Sequence, residues 1–113
     1  MKFWPYPRII AHRGGGHFAP ENTLAGMRKA KELGFSGVEF DVMLAADATP
    51  IVMHDQTLAR TTSGSGAISQ TAFSAMQGLD AGSWFAPQYA GEPVPSFERV
   101  GRLCVELGVW ADI

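Results

Sequence analysis

Two apolar runs, Arg8-Ile9-Ile10-Ala11 and Phe35 to Val42, are separated by a single helix-length segment, and this spacing constrains the fold more than any other feature. The segment between them reads as a helix through about Leu33. Asn22 or Thr23 suits the N-cap, Leu24, Met27 and Ala30 form an apolar stripe, and Gly34 suits the position just past the end. Strand, helix and strand within about 35 residues make a βαβ unit. The first two strands are therefore predicted to run parallel, the first of them buried and feeding the loop Gly14-Gly15-Gly16.

The next connection demands the opposite pairing. Only a few residues separate Val42-Met43 from Ile51-Val52-Met53, fewer than the dozen or so that a parallel crossover needs. An antiparallel hairpin turning near Asp47-Ala48 is predicted, which sets position 41 opposite position 54 to within a residue or two. Residues 56–95 are rich in turns, with a short helix expected around Thr71–Met76, and read as an insertion lying over one end of the scaffold. Ser96 caps an amphipathic helix that runs to Leu107, Gly108 ends it, and Val109 to Ile113 begins another strand. The expected class is thus α/β, in at most one domain.

Bulk properties exclude several roles. A formal net charge of −2, with nine basic residues scattered along the chain, provides no footprint for nucleic acid or an anionic membrane. No stretch approaches the roughly 20 apolar residues of a membrane span, and Pro5 and Pro7 interrupt the start. The single Cys104 lies in an apolar helical pattern and reads as a small buried residue. Together these point to a cytoplasmic protein.

Three short motifs sit where strands end. His12-Arg13 follows the first strand, and in α/β folds ligands bind beyond the carboxyl ends of strands. Arginine offers a planar fork for phosphate or carboxylate, and histidine moves protons near neutral pH. Alternation along a strand places Glu39 and Asp41 on one face, where their repulsion calls for a cation; a hard divalent ion such as Mg²⁺ or Ca²⁺ suits their oxygens. His54-Asp55 ends the return strand of the hairpin, near Asp41. Each motif alone has a bland alternative: a polar surface loop, an edge strand with solvated acids, a loop histidine. Converging, they supply an acid, a base, metal ligands and an anion clamp. Weaker candidates are His17, Glu21, Trp84, Phe85 and Arg60, the last a solvated arginine by default.

The series His12-Arg13-Gly14, Pro20-Glu21-Asn22-Thr23, Glu39-Phe40-Asp41-Val42, Pro50 to Asp55 and Arg60-Thr61-Thr62 closely resembles the glycerophosphodiester phosphodiesterase family. Leu79 to Phe85 and Gly91 to Pro95 match as well, in the right order. The resemblance implies the N-terminal part of a TIM barrel across residues 1–113, with 56–95 as a small insertion subdomain. It implies hydrolysis of glycerophosphodiesters to glycerol 3-phosphate and an alcohol. By the same analogy His12 and His54 are the catalytic acid/base pair, Glu39 and Asp41 bind Ca²⁺ or Mg²⁺, and Arg13 holds the phosphate.

Two departures accompany the likeness. Ala46-Asp47-Ala48 stands where the family usually has a Lys-Asp-Gly turn. Asp112-Ile113 occupies the first positions of the family's Asn-x-Glu-x-Lys strand, so the sequence stops before the third metal carboxylate. Eight strands and about 250 residues make a typical barrel, and three strands cannot close one. The expectation is a truncated member, weakly active or inactive, with weakened metal affinity and exposed strand edges open to self-association. Other expectations to be weighed are an inactive binding or assembly module and a phospholipase-type phosphodiesterase.

Overall fold

Parallel backbone segments form the scaffold of the computed structural model, which describes residues 5–113. Ala11 bridges Val38 in parallel, and β1 (Gly37–Glu39) pairs in parallel with β4 (Trp110–Asp112). β1 is therefore the middle of three neighbours. The Ala11 N–H donates to the Gly37 carbonyl at 3.0 Å, and the Glu39 N–H donates to the Ala11 carbonyl at 2.9 Å. Helix α1 (Leu24–Glu32) joins the first segment to β1, which is the predicted βαβ unit.

Both long helices begin and end as their sequences indicate. The Thr23 hydroxyl accepts from the Gly26 N–H and donates to the Pro20 carbonyl, so Thr23 rather than Asn22 is the N-cap. Ser96 accepts from the Arg99 N–H and starts α3 (Phe97–Leu107). Gly108, at φ +69°, closes α3 in the left-handed region that glycine enters without steric cost. Between the hairpin and α3, helix α2 (Phe73–Met76) lies inside the predicted short helix.

Two strand predictions need correction. The strand expected at Arg8 to Ala11 is paired only at its last residue, and Ile9 is 73% exposed. Because β1 starts at Gly37, Arg8 and Ile9 have no ladder to join. The strand expected from Phe35 to Val42 is broken in two. Phe40 N–H still donates to Asp112 O, but the Asp41 N–H turns to the Asn22 side-chain oxygen at 3.3 Å. Beyond this point the chain changes partner, and β2 (Val42–Leu44) pairs antiparallel with β3 (Pro50–Val52).

The hairpin register is one residue from the expected one. Val42 faces Val52, and the Met53 N–H donates to Asp41 O, so Asp41 lies opposite Met53 and not His54. The cause is the loop. Ala45 N–H bonds Thr49 O, Ala48 N–H bonds Ala45 O, and Ala48 has φ +65°, giving a three-residue connection with a left-handed last residue.

Strand alternation lets this hairpin serve two cores. Val42 and Val52 pack with Phe40, Met27, Ala30, Val100 and Leu103, between the parallel segments and the two long helices. Ile51 and Met53 face the other way, packing with Leu58, Ile68, Met76 and Val94 of the turn-rich segment. Cys104 is buried in the first core, as expected, and burial pushes its thiol pKa up. The Glu92 carboxylate also accepts from the Ala25 N–H in the first turn of α1, at 3.0 Å. Among the described residues no helix is long and apolar enough to cross a membrane.

The left-handed Ala48 yields a stability prediction. A side chain there costs about 1–2 kcal/mol, whereas glycine adds only about 0.5–1 kcal/mol of unfolded-state entropy. Ala48→Gly is thus expected to stabilise the chain by about 0.5–1 kcal/mol, read as a higher denaturant midpoint with an unchanged slope.

Candidate active site

The loop after Ala11 is stitched to the end of β1 through its backbone. The Gly14 N–H donates to the Glu39 carbonyl at 3.1 Å, and the Asn22 N–H donates to the Arg13 carbonyl at 2.9 Å. The Arg13 N–H donates to Glu39 Oε1 at 3.1 Å. Arg13 and Asn22 are both left-handed, at φ +52° and +57°. Asparagine tolerates that region, but arginine does so at a cost on the order of 1 kcal/mol, and the surrounding bonds hold it there.

Both carboxylates of the Glu39-x-Asp41 pair meet the Arg13 residue. Glu39 does so through the backbone amide, and Asp41 Oδ2 lies 3.9 Å from the Arg13 Nε. The Arg13 Nη1 reaches both oxygens of Glu21, at 3.3 and 3.2 Å. Its Nε is fully buried and has no hydrogen-bond partner. Asn22, read above as a possible cap and as part of the Pro20-Glu21-Asn22-Thr23 motif but given no role in the site, joins this cluster. Its side-chain amide donates to Asp41 Oδ2 at 3.2 Å while its oxygen takes the Asp41 N–H.

Arg60 is not solvated away from the site. Its Nη1 and Nη2 bind Glu21 at 3.0 and 2.9 Å, and its Nε and Nη2 bind Asp55 at 2.8 and 2.9 Å. Asp55 Oδ1 lies 2.8 Å from His54 Nδ1. His54 is therefore coupled to Asp55, whereas its expected neighbour Asp41 is engaged by Asn22 and Arg13. Spacing along the chain gave little sign of the Arg60–Glu21 contact, which spans 39 positions.

A cleft of about 370 Å³ opens beside these groups, lined by His12, Arg13, Glu21, Arg60, Trp84 and Phe85. His17 contributes to the same wall. Trp84 donates its indole N–H to the Ala81 carbonyl and packs edge-on against Phe85, and the Arg60 guanidinium lies 6.0 Å from its ring centre. These aromatics thus serve both to pack the covering segment and to wall the cleft. Among the described residues, no three His, Cys, Asp or Glu side chains converge to hold a metal ion.

Two carboxylates of the network, Glu21 and Asp55, titrate low. Burial alone would raise Glu21, but hydrogen bonds and charge from Arg60, then Arg13, outweigh it and hold its pKa below the ordinary 4.5. Arg60, and then His54, hold Asp55 well below the usual carboxylate range. Depressed carboxyl pKa values add stability that is complete above the ordinary values and is lost as pH falls through the folded-state values. The melting temperature is expected to fall between about pH 5 and pH 2. Glu21→Gln is expected to flatten that dependence and to cost on the order of 1 kcal/mol at pH 7, since solvent screens the network; thermal melts across the pH range measure both.

The chain is similar in sequence and fold to known proteins. The profile of the glycerophosphoryl diester phosphodiesterase family matches residues 12–113. A glycerophosphodiester phosphodiesterase of Caldanaerobacter subterraneus is 42% identical over 95 residues, covering 84% of this chain and 39% of that protein. A phosphodiesterase structure from Oleispira antarctica, in complex with the product sn-glycerol-3-phosphate, superposes with a TM-score of 0.91 at 40% identity. That match covers 94% of this chain and 43% of the other. A glycerophosphodiester phosphodiesterase structure from Agrobacterium tumefaciens gives 0.84 at 39% identity, covering 93% and 46%. The chain therefore spans less than half the length of these relatives, while the match takes in nearly all of its own residues. By that extent of matching, the chain belongs to the glycerophosphoryl diester phosphodiesterase family.

Proposed function

We propose that this chain contributes to the hydrolysis of glycerophosphodiesters to glycerol 3-phosphate and an alcohol. The observation that carries the proposal is the set of groups around Arg13 at the end of β1. The guanidinium is fixed by Glu21 on one side, meets Asp41 on another, and keeps a buried Nε donor without a partner beside a cleft lined by His12. Arg13 itself lines that cleft, where a guanidinium suits a phosphate oxygen. The product complex of the Oleispira relative supports the same ligand chemistry here.

In this reading Arg13 binds the phosphate and orients the diester, and Glu21 keeps the guanidinium in place. His12 and His54 are the acid/base pair: one takes a proton from the water that attacks phosphorus, and the other gives a proton to the oxygen of the leaving alcohol as its P–O bond breaks. Phosphoryl transfer asks mainly for positioning and charge neutralisation, which matches the residue types present.

Glu39 and Asp41 fit a hard divalent cation, Mg²⁺ or Ca²⁺, as two oxygen donors, with waters and substrate oxygens completing its shell. Both carboxylates are half-buried and face Arg13, Glu39 through the backbone amide and Asp41 through the guanidinium. When bound, the metal ion would neutralise charge on the phosphate.

We also infer that Ala11, β1 and β4 are neighbouring strands of a TIM barrel, with residues 56–95 as an insertion subdomain. The helix before β1 and the helix before β4, with parallel pairing among these three segments, support this reading. Trp110, Ala111 and Asp112 are all exposed, and one edge of β4 is paired to β1. Its other edge suits a further strand, including one from a second copy. Concentration-dependent association in light scattering is expected; a monomer at every concentration would count against pairing between copies.

Binding is the most direct test of function. Glycerol 3-phosphate is expected to perturb the Arg13 side-chain resonance of this chain, and Arg13→Ala is expected to abolish binding. With Mg²⁺ or Ca²⁺ present, turnover of glycerophosphocholine is expected to be slow at most, and any turnover should vanish in His12→Ala and His54→Ala. Absence of both product binding and turnover would sink the proposal.

A further inference from the structure

An unbroken run of charged contacts joins the two histidine motifs, and its central member is Arg60. The order is His54, Asp55, Arg60, Glu21, Arg13 and Asp41, with every link at 3.9 Å or less. We infer that Asp55 and Arg60 are positioning residues, which hold His54 as the Nδ1–H tautomer and leave Nε2 as the nitrogen that exchanges protons.

The argument starts from hydrogen-bond chemistry. An ionised carboxylate only accepts, so the 2.8 Å contact between Asp55 Oδ1 and His54 Nδ1 requires the proton on Nδ1. Nε2 is then a free base in the neutral ring and an acid in the cation. Arg60 keeps Asp55 ionised and aimed, because its Nε and Nη2 take both carboxylate oxygens in a fork. A histidine and aspartate adjacent in sequence do not fix one another, since both side chains can rotate. Arg60 removes that freedom by anchoring the pair to Glu21, through a second pair of bonds.

The modest stability that these pairs add does not by itself call for this arrangement. The side chains of His54 and Arg60 are 44% and 45% exposed, and ion pairs in such surroundings contribute little to folding. Orientation does account for it: five donors in one plane serve two carboxylates from different loops, which a lysine cannot reproduce. The same fork ties the His54 dyad to the Arg13 loop, so the two halves of the site share one anchor.

This inference rests on the acid/base role proposed for His54, and its test separates the two. Nitrogen-15 spectra of the His54 ring, recorded on this chain without substrate, report the tautomer directly. Wild type is expected in the Nδ1–H form. Asp55→Ala is expected to revert to Nε2–H, the form preferred by imidazole in water, Arg60→Ala to shift part of the way, and Arg60→Lys to lie between Arg60→Ala and wild type. Where hydrolysis is measurable, Arg60→Ala should lower kcat by roughly ten- to a hundredfold, with KM changing less. An Nε2–H wild type overturns the inference, as does a tautomer unmoved by Asp55→Ala or Arg60→Ala. A loss confined to KM overturns it too, by making Arg60 a substrate contact. The expected tautomers together with turnover insensitive to His54→Ala would sustain the dyad and defeat the acid/base role instead.

Discussion

Two carboxylates two residues apart, one ending a short strand and the other just beyond it, cannot lie near an apolar core unless hydrogen-bond donors or positive charge reach them. Arg13 meets that demand here, and the surrounding loop is shaped by it. Its backbone amide binds Glu39, its Nε approaches Asp41, and its carbonyl accepts from Asn22, which in turn clasps Asp41. Residues 12–22 therefore close over the end of β1 as a defined loop. Thr23 then starts α1 directly from that loop, with its hydroxyl bonded to Pro20. The first turn of the helix and the charged cluster are consequently parts of one construction.

The hairpin is the second structural necessity. A ribbon of two three-residue strands is too short to be stable alone. It is held because each of its faces has a core of its own, Val52 on one side and Ile51 with Met53 on the other. That sandwiching gives residues 56–95 a fixed seat despite their scarcity of regular structure. It also fixes the backbone of Asp55 and Arg60, which follow β3 closely in sequence. Ion pairs among exposed side chains would be loose on a mobile loop; on this one, Leu58, Thr61 and Thr62 are buried around Arg60 and restrain it.

Sequence periodicity revealed the local elements well, and physical reasons explain where it stopped. The caps at Thr23 and Ser96, the left-handed Gly108 and the parallel βαβ unit depend on neighbours a few residues apart. Register depended on a subtler choice, whether the loop had an even or odd number of residues. Ala48 gives no glycine signal for its left-handed conformation, so the one-residue shift was hidden. The division of the second strand was hidden for a related reason: an asparagine 19 positions away captures the Asp41 amide. The site motifs were legible as residue types at strand ends. Their wiring through Glu21 and Arg60 was not, because salt bridges between distant loops leave no periodic trace.

The wiring bears on how such a site can tolerate its own charge. Asp41, Glu39, Glu21 and Asp55 are four acids in one region, opposed by Arg13 and Arg60. Sharing Glu21 between two arginines lowers the electrostatic cost of each, but Arg13 is not satisfied completely, as its unpaired Nε shows. A fully paired arginine would have little left to offer an anionic ligand. An unpaired one would be held less firmly, at the expense of the geometry that phosphate recognition needs. The intermediate state, anchored by Glu21 and lining the cleft with the same side chain, reconciles rigid placement with residual affinity for an anion.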